Sequence, residues 1–196
     1  MFTEIRSSLR PAFVLLLQFT ALTGVAYPLA VTGIAQLVFP AQANGSLIRD
    51  HGAVVGSELI GQNFAEARYF HPRPSAAGKG YDASASAASN LAPASQDLAN
   101  RIGGDVAALR QQRLTGPIPT DLVTTSASGL DPHISPEAAF LQVGRVAAAR
   151  SLTPAAVRAA VTAATEYPLL GLIGEPRVNV LLLNRQLDRI SAMRVQ

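Results

Sequence analysis

Apolar positions dominate the start of the chain and leave almost no polar face. From Pro11 to Phe39 nearly every residue is hydrophobic, and no charge stands between Arg10 and Arg49. A helix that crosses a bilayer core needs roughly 20 such residues. The run therefore predicts one transmembrane anchor helix over residues 11–39, behind a short N-terminus of residues 1–10. Gln18, Thr20, Thr23, Thr32 and Gln36 are its polar interruptions. Amides in hydrocarbon are costly and tend to face a partner helix, and small residues let such a helix approach closely. Gln18, Gly24 and Gln36 are thus the candidate docking positions of the span. Tyr27-Pro28 predicts a kink within it. A cleaved signal peptide is the competing reading, since Ala41-Gln42-Ala43 has the small-x-small cleavage pattern. The apolar part of a signal peptide, however, is usually about 7–15 residues. This run is far longer, which favours the anchor.

After a polar exit at 44–49 the pattern changes to short alternating elements, read as one domain over residues 44–196. Ala53-Val54-Val55 and Ser57-Glu58-Leu59-Ile60 suggest a hairpin around Gly56. The prolines of Tyr69–Ser75 dictate extended backbone. Ala76–Asn90, small and polar, reads as a flexible surface loop. Ser95 can cap a helix to Arg113 whose apolar stripe is Leu98, Ile102, Val106 and Leu109. Asp121–Thr125 has strand character. Ser135-Pro136 and Thr153-Pro154 each combine a cap with a first-turn proline and begin two further helices. In the first, Phe140, Val143 and Ala147 form the buried face, with Gln142, Arg145 and Ala149 opposite. Alternation over Arg177–Leu183 predicts a last strand, followed by a helix from about Asn184. The fold class expected is α/β (α+β), an extracytoplasmic domain preceded by one N-terminal transmembrane helix.

Composition narrows the chemistry. The chain has no cysteine, so it forms no disulfide and no thiolate metal site. Its net charge is +3, carried almost wholly by arginine, with Lys79 the single lysine. These charges are scattered among acids and no basic run is interleaved with aromatics, which argues against nucleic acid as a partner. There is no phosphate-binding loop, no G-x-S-x-G elbow and no H-E-x-x-H pair. The histidines His51, His71 and His133 are far apart in sequence. Asp131-Pro132-His133, near Ser126, Ser128 and Ser135, invites a membrane-tethered Ser-His-Asp hydrolase. The plainer reading is a turn pinned by hydrogen bonds, as Ser, Gly, Asp and Pro clusters usually are. A ligand-binding domain released after Ala43 is a further alternative.

Three blocks carry a more specific signal. They are Leu59-Ile60-Gly61-Gln62 with Tyr69-Phe70, Arg73-Pro74-Ser75 and Ser89-Asn90-Leu91; Ser128–Ser135 continuing through Gln142-Val143 and Arg145 to Arg150; and Gly174–Leu181 with Leu183-Asn184. In this order, behind an N-terminal span, they resemble the KdpC subunit family of the Kdp potassium-transporting P-type ATPase, across essentially the whole chain. The resemblance implies an accessory subunit without catalysis of its own. Its partners would be a channel-like potassium-binding subunit, a P-type ATPase subunit and a small single-span subunit, with membrane lipid around the anchor. It also implies a role in assembly and in raising the ATPase subunit's affinity for ATP. No cofactor is expected on the chain itself, and ATP is reached through the ATPase subunit. Arg73, Asp131, His133, Gln142, Arg177 and Asn179 are the domain's candidate structural or docking residues.

Orientation follows from charge, because cytoplasmic flanks are enriched in Lys and Arg. Arg6 and Arg10 precede the span, offset by Glu4, which predicts a cytoplasmic N-terminus and a periplasmic or extracellular domain at the cell inner membrane. Protease added to sealed right-side-out spheroplasts should digest the domain. Protection there, with digestion in inverted vesicles, would reverse the orientation.

Overall fold

Pro28 has no amide hydrogen to donate, and the N-terminal helix is built around that defect. The computed structural model describes residues 2–50, 52–112, 114–168, 171 and 173–193. Helix α1 (Phe2–Ala21) passes into one π-helical turn (Leu22–Ala26) and then into α2 (Tyr27–Val38). The Tyr27 amide reaches back five residues to the Leu22 carbonyl. Thr23 Oγ1 donates to the Phe19 carbonyl at 2.6 Å. The proline is thus absorbed by a widened turn placed before it, a common answer to a disturbed helical ladder. This turn at 22–26 stands directly before Tyr27-Pro28, where the sequence predicts a kink. Residues 6–38 form a helix long and apolar enough to cross a membrane. A short helical turn, α3 (Pro40–Ala43), comes next.

The chain divides into two compact units, Met1–Leu47 and Ile48–Gln196. A two-stranded hairpin, β1 (Leu47–Asp50) with β2 (Ala53–Ser57), starts at the last residue of the first unit and opens the second. This moves the expected hairpin, whose turn lies before Ala53 and not at Gly56. Gly52 takes the positive φ of +84° that such a turn favours. Gly56 lies inside β2, where any side chain would run into the Gln62 amide and Leu181.

Helix α4 (Gln96–Gln111) starts where Ser95 Oγ accepts the Asp97 amide. Its expected stripe is only half-buried, and Arg113, at its expected end, lies outside the described residues. The predicted strand at Asp121–Thr125 is instead a 3₁₀ turn, Thr120–Leu122. Asp121 spends its carboxylate on Ser135, accepting from the backbone amide at 2.6 Å and from Oγ at 3.2 Å. Strands β3 (His133–Ile134), β4 (Thr165–Glu166) and β5 (Arg177–Asn179) form an antiparallel sheet in the order β3-β5-β4. Helices α5 (Pro136–Ala149) and α6 (Pro154–Ala163) begin at the anticipated Ser135 and Thr153 caps. The last strand ends early, at Asn179, and α7 (Val180–Met193) starts four residues sooner than the alternation suggests. Asn179 Oδ1 accepts the Leu182 amide at 3.1 Å, the bond of a helix cap. Val180, Leu183 and Leu187 then turn one helical stripe into the core. Mixed strands and helices are as expected from the sequence.

The core joins α5, α6, α7 and β5 around Val143, Val146, Val157, Val161, Val178, Leu183 and Leu187, with Phe70 wholly buried among them. Phe70 belongs to the irregular segment at 67–75, which leaves a turn at Tyr69 and has no strand beside it. Buried backbone must nevertheless be hydrogen-bonded. Asn184 on α7 does this for Phe70, accepting its amide at 2.8 Å and donating to its carbonyl at 3.0 Å. Gln142 on α5 does the same for His71, at 2.8 and 3.1 Å. Gln142, expected on the outer face, is 1% exposed. Two side-chain amides thereby replace a neighbouring strand. Arg145 adds bonds to the carbonyls of Ala67 and Tyr69, and Arg150 one to Arg68.

Replacing Asn184 by Leu would keep the volume and orphan both polar groups of Phe70. An unsatisfied buried group costs about 1–3 kcal/mol. Asn184→Leu, like Gln142→Leu, should markedly lower the denaturant midpoint of the full chain in detergent. Equal stability of Asn184→Leu and the native chain would contradict the clamp.

Candidate functional site

Beyond its clamped part, the 67–75 segment delivers Arg73 to the loop before β3. Arg73 Nη1 donates to Asp131 Oδ2 at 2.9 Å, and Nε reaches the Thr124 carbonyl at 3.4 Å. The other carboxylate oxygen of Asp131 accepts the His133 backbone amide at 3.0 Å and lies 3.4 Å from His133 Nδ1. An aspartate bonded to the amide two residues on is the expected local turn. Burial pushes the Asp131 carboxyl up, but hydrogen bonds from His133 and the charge of Arg73 outweigh it and hold the group below the usual carboxylate range. Tyr81 locks the strap from behind, its hydroxyl donating to the Arg73 carbonyl at 2.6 Å. Burial, with Asp131 nearby, raises the Tyr81 pKa well above its ordinary value, so it stays neutral. Gly61 makes this packing achievable. Its amide donates to the Leu130 carbonyl at 2.8 Å, and a Cβ there would stand 2.6 Å from the Asp131 carbonyl and 2.7 Å from the Tyr81 ring.

Arg73, Asp131, His133 and Arg177 line one cleft of about 1210 Å³, walled by the 115–121 segment, Tyr167, Pro168 and residues 173–176. Arg177 pairs with Glu166 at 2.9 Å across the β4–β5 register. Both partners are about half exposed, so the pair is worth about 1 kcal/mol at most. Gln142 and Asn179 are not at the cleft. Gln142 clamps His71, while Asn179 caps α7 and donates from Nδ2 to the Glu58 carbonyl at 2.8 Å. In the N-terminal unit, Gln18 and Gly24 lie on the exposed helix surface. Gln36 exchanges amide hydrogen bonds with Asn44 at 3.0 and 3.3 Å, so it closes the end of its own helix.

The serines are committed elsewhere. Ser135 Oγ donates to Asp121 and accepts the Ala138 amide. Ser126 and Ser128 hydroxyls lie 3.3 Å apart. Among the described residues no serine hydroxyl is hydrogen-bonded to His133, and no cluster of three acidic or histidine side chains could hold a metal. His71 contributes through its backbone, and burial together with the Arg145 guanidinium holds its ring pKa below the ordinary value against a contact with the Glu66 carbonyl. Arg145 itself is pushed down to about 10 by burial. His51 lies outside the described residues. The 76–90 loop is tied to this region rather than free of it: Ala77 is buried, and the Ala87 amide donates to the Ser128 carbonyl.

Asn184, Tyr81 and Asp121 carry much of this arrangement without having been singled out as site residues. Asn184 alone left a readable trace, as a polar residue on the apolar stripe of Val180, Leu183 and Leu187.

Residues 9–189 match the family described as K+-transporting ATPase, c chain, or KdpC. The chain belongs to the KdpC family. Proteins named Potassium-transporting ATPase KdpC subunit are similar throughout. The one from Caulobacter vibrioides (strain NA1000 / CB15N) is 60% identical, covering 93% of each chain. That from Bradyrhizobium diazoefficiens is 54% identical over 94% of this chain and 98% of its own. The Myxococcus xanthus protein is 54% identical over 96% and 89%. The three blocks that resembled KdpC thus lie within the matched span, and structurally they are the clamped strap, the Asp131 loop with α5, and β5 with the start of α7.

Asp131 supplies a pH test. Its folded pKa is depressed, so its stabilisation is present above the unfolded value of about 3.9 and is lost as pH falls through the folded value. Asp131→Asn should cost about 1.5–3 kcal/mol at neutral pH, the worth of hydrogen bonds to a charged group. The deficit should close in strong acid. A deficit independent of pH, read from melts of both proteins, would remove the carboxylate from this role.

Proposed function

We propose that the chain is a non-catalytic accessory subunit of an ATP-driven potassium import complex, held in the inner membrane by its N-terminal helix. Its domain acts outside the cytoplasm by docking and assembly. The observation that carries this reading is the KdpC match over residues 9–189, which takes in both the span and the domain. The curated relatives are named as subunits of a potassium-transporting ATPase. The site adds physical support, since Asp131, His133 and Ser135 are engaged in holding a loop. Its proposed partners are a channel-like potassium-binding subunit, a P-type ATPase subunit and a small single-span subunit. Arg73, Asp131, His133 and Arg177 would contribute the docking face, and Gln18 and Gly24 the contacts within the bilayer.

Any rise in the ATPase subunit's affinity for ATP is assigned to this docking rather than to nucleotide contact. Helix N-termini bind phosphate through free amides. At α5 and α6 the first position is proline, and the Ser135 and Thr153 side chains already take an amide each.

A C-terminally tagged chain purified from native membranes should bring down the ATPase subunit and be recovered at full length. Deleting residues 11–39 should release the domain from the pump. Recovery of a chain beginning at Asn44, or capture of the pump by the domain alone, would contradict the anchor's role.

A further inference from the structure

The β1–β2 hairpin leaves several apolar side chains uncovered. Val54 is 50% exposed and Val55 37%, and Leu47 and Leu59 are 47% and 59%. Adjacent strand residues point to opposite faces, so Val54 and Val55 leave part of each face of the ribbon exposed. The base, by contrast, is fixed. Gln62 Nε2 donates to the Val55 carbonyl at 2.9 Å, Asn179 holds the Glu58 carbonyl, and Arg185 lies 3.7 Å from Asp50. An isolated two-stranded hairpin is marginal in water, and this one exposes valines that burial would stabilise. Arg49, exposed on β1, has no carboxylate partner among the described residues.

We infer that this hairpin is a second membrane contact, which enters the lipid headgroup layer with Val54, Val55, Leu47 and Leu59 while Arg49 meets lipid phosphate. The inference rests on the reading of residues 6–38 as a membrane span. Continuity of chain favours lipid. Only Asn44, Gly45 and Ser46 separate α3 from β1, a tether on the order of 15 Å at full stretch. Geometry favours it too. A flat protein surface would cover one face of the ribbon, whereas a fluid interfacial layer covers both at once. Apolar side chains beside an arginine are the composition of interfacial segments, the long cationic side chain reaching the phosphates.

The chain has no tryptophan, so a single introduced one reports its own surroundings. Val54→Trp and Leu59→Trp would be placed in the full-length chain, reconstituted into vesicles of phosphatidylcholine and phosphatidylglycerol with brominated or plain acyl chains. Leu29→Trp, in the span, serves as the reference. The expected result is blue-shifted emission from both hairpin reporters, largely quenched by brominated lipid. Adding Arg49→Glu to Val54→Trp should weaken that quenching in anionic vesicles. Unquenched, water-like emission from both reporters, with Leu29→Trp still quenched, would overturn the hairpin contact and leave a partner protein as its cover. Loss of quenching at Leu29→Trp as well would overturn the anchor and the hairpin contact together.

Discussion

Phe70 is buried and His71 half-buried without a strand beside them, and the domain's architecture turns on how their backbone is satisfied. Asn184 from α7 and Gln142 from α5 each offer one donor and one acceptor to a single residue. The arrangement reproduces the pairing of a β-ladder with side chains. A strand beside the strap would hide the core from α5 and α7. An amide reaching out of each helix lets Phe70 pack directly on the helices that hold it. Arg145 and Arg150 extend the grip to 67–69 with charge-assisted bonds to carbonyls, and Arg150 also pairs with Asp188 on α7.

The cleft depends on this anchoring. Arg73 can meet Asp131 only because His71 is fixed two residues earlier. Asp131 then holds the His133 turn, and the Pro132 carbonyl accepts the Val180 amide at 3.0 Å where β5 passes into α7. Strap, turn and sheet edge are thus one hydrogen-bonded unit, and the cleft is its outer surface. Such a unit offers a rigid, mixed-charge face suited to a fixed partner. Its polar groups are engaged in structure, in keeping with the proposed docking role.

The features legible in the sequence were those with local causes. The apolar run of the span and the Ser95, Ser135 and Thr153 caps each depend on neighbours within a few residues. The misreadings share a different cause. Arg177–Leu183 alternates like a strand, but Asn179 caps a helix there while its other amide atom is held by Glu58, far away in the chain. Asp121–Thr125 is rich in strand formers, yet Asp121 is drawn to Ser135. Gln142 is polar and its sequence context predicts the outer face, and its reason for being inside is the backbone of His71. At the site, the Asp131 turn was recognisable from its own residues, whereas its partner Arg73 entered through family resemblance. Tyr81 and Gly61, which complete the packing behind it, left no periodic trace.

Amide hydrogen exchange at Phe70 and His71, in the full-length chain, tests the central claim most directly. Both amides are held by side chains in a segment without regular secondary structure, where exchange is ordinarily fast. If Asn184 and Gln142 clamp the strap, the two amides will exchange as slowly as those in the middle of α5 and α7. Exchange at the rate of exposed loop amides such as that of Lys79 would show that the strap opens independently, and the account of the cleft would fall with it.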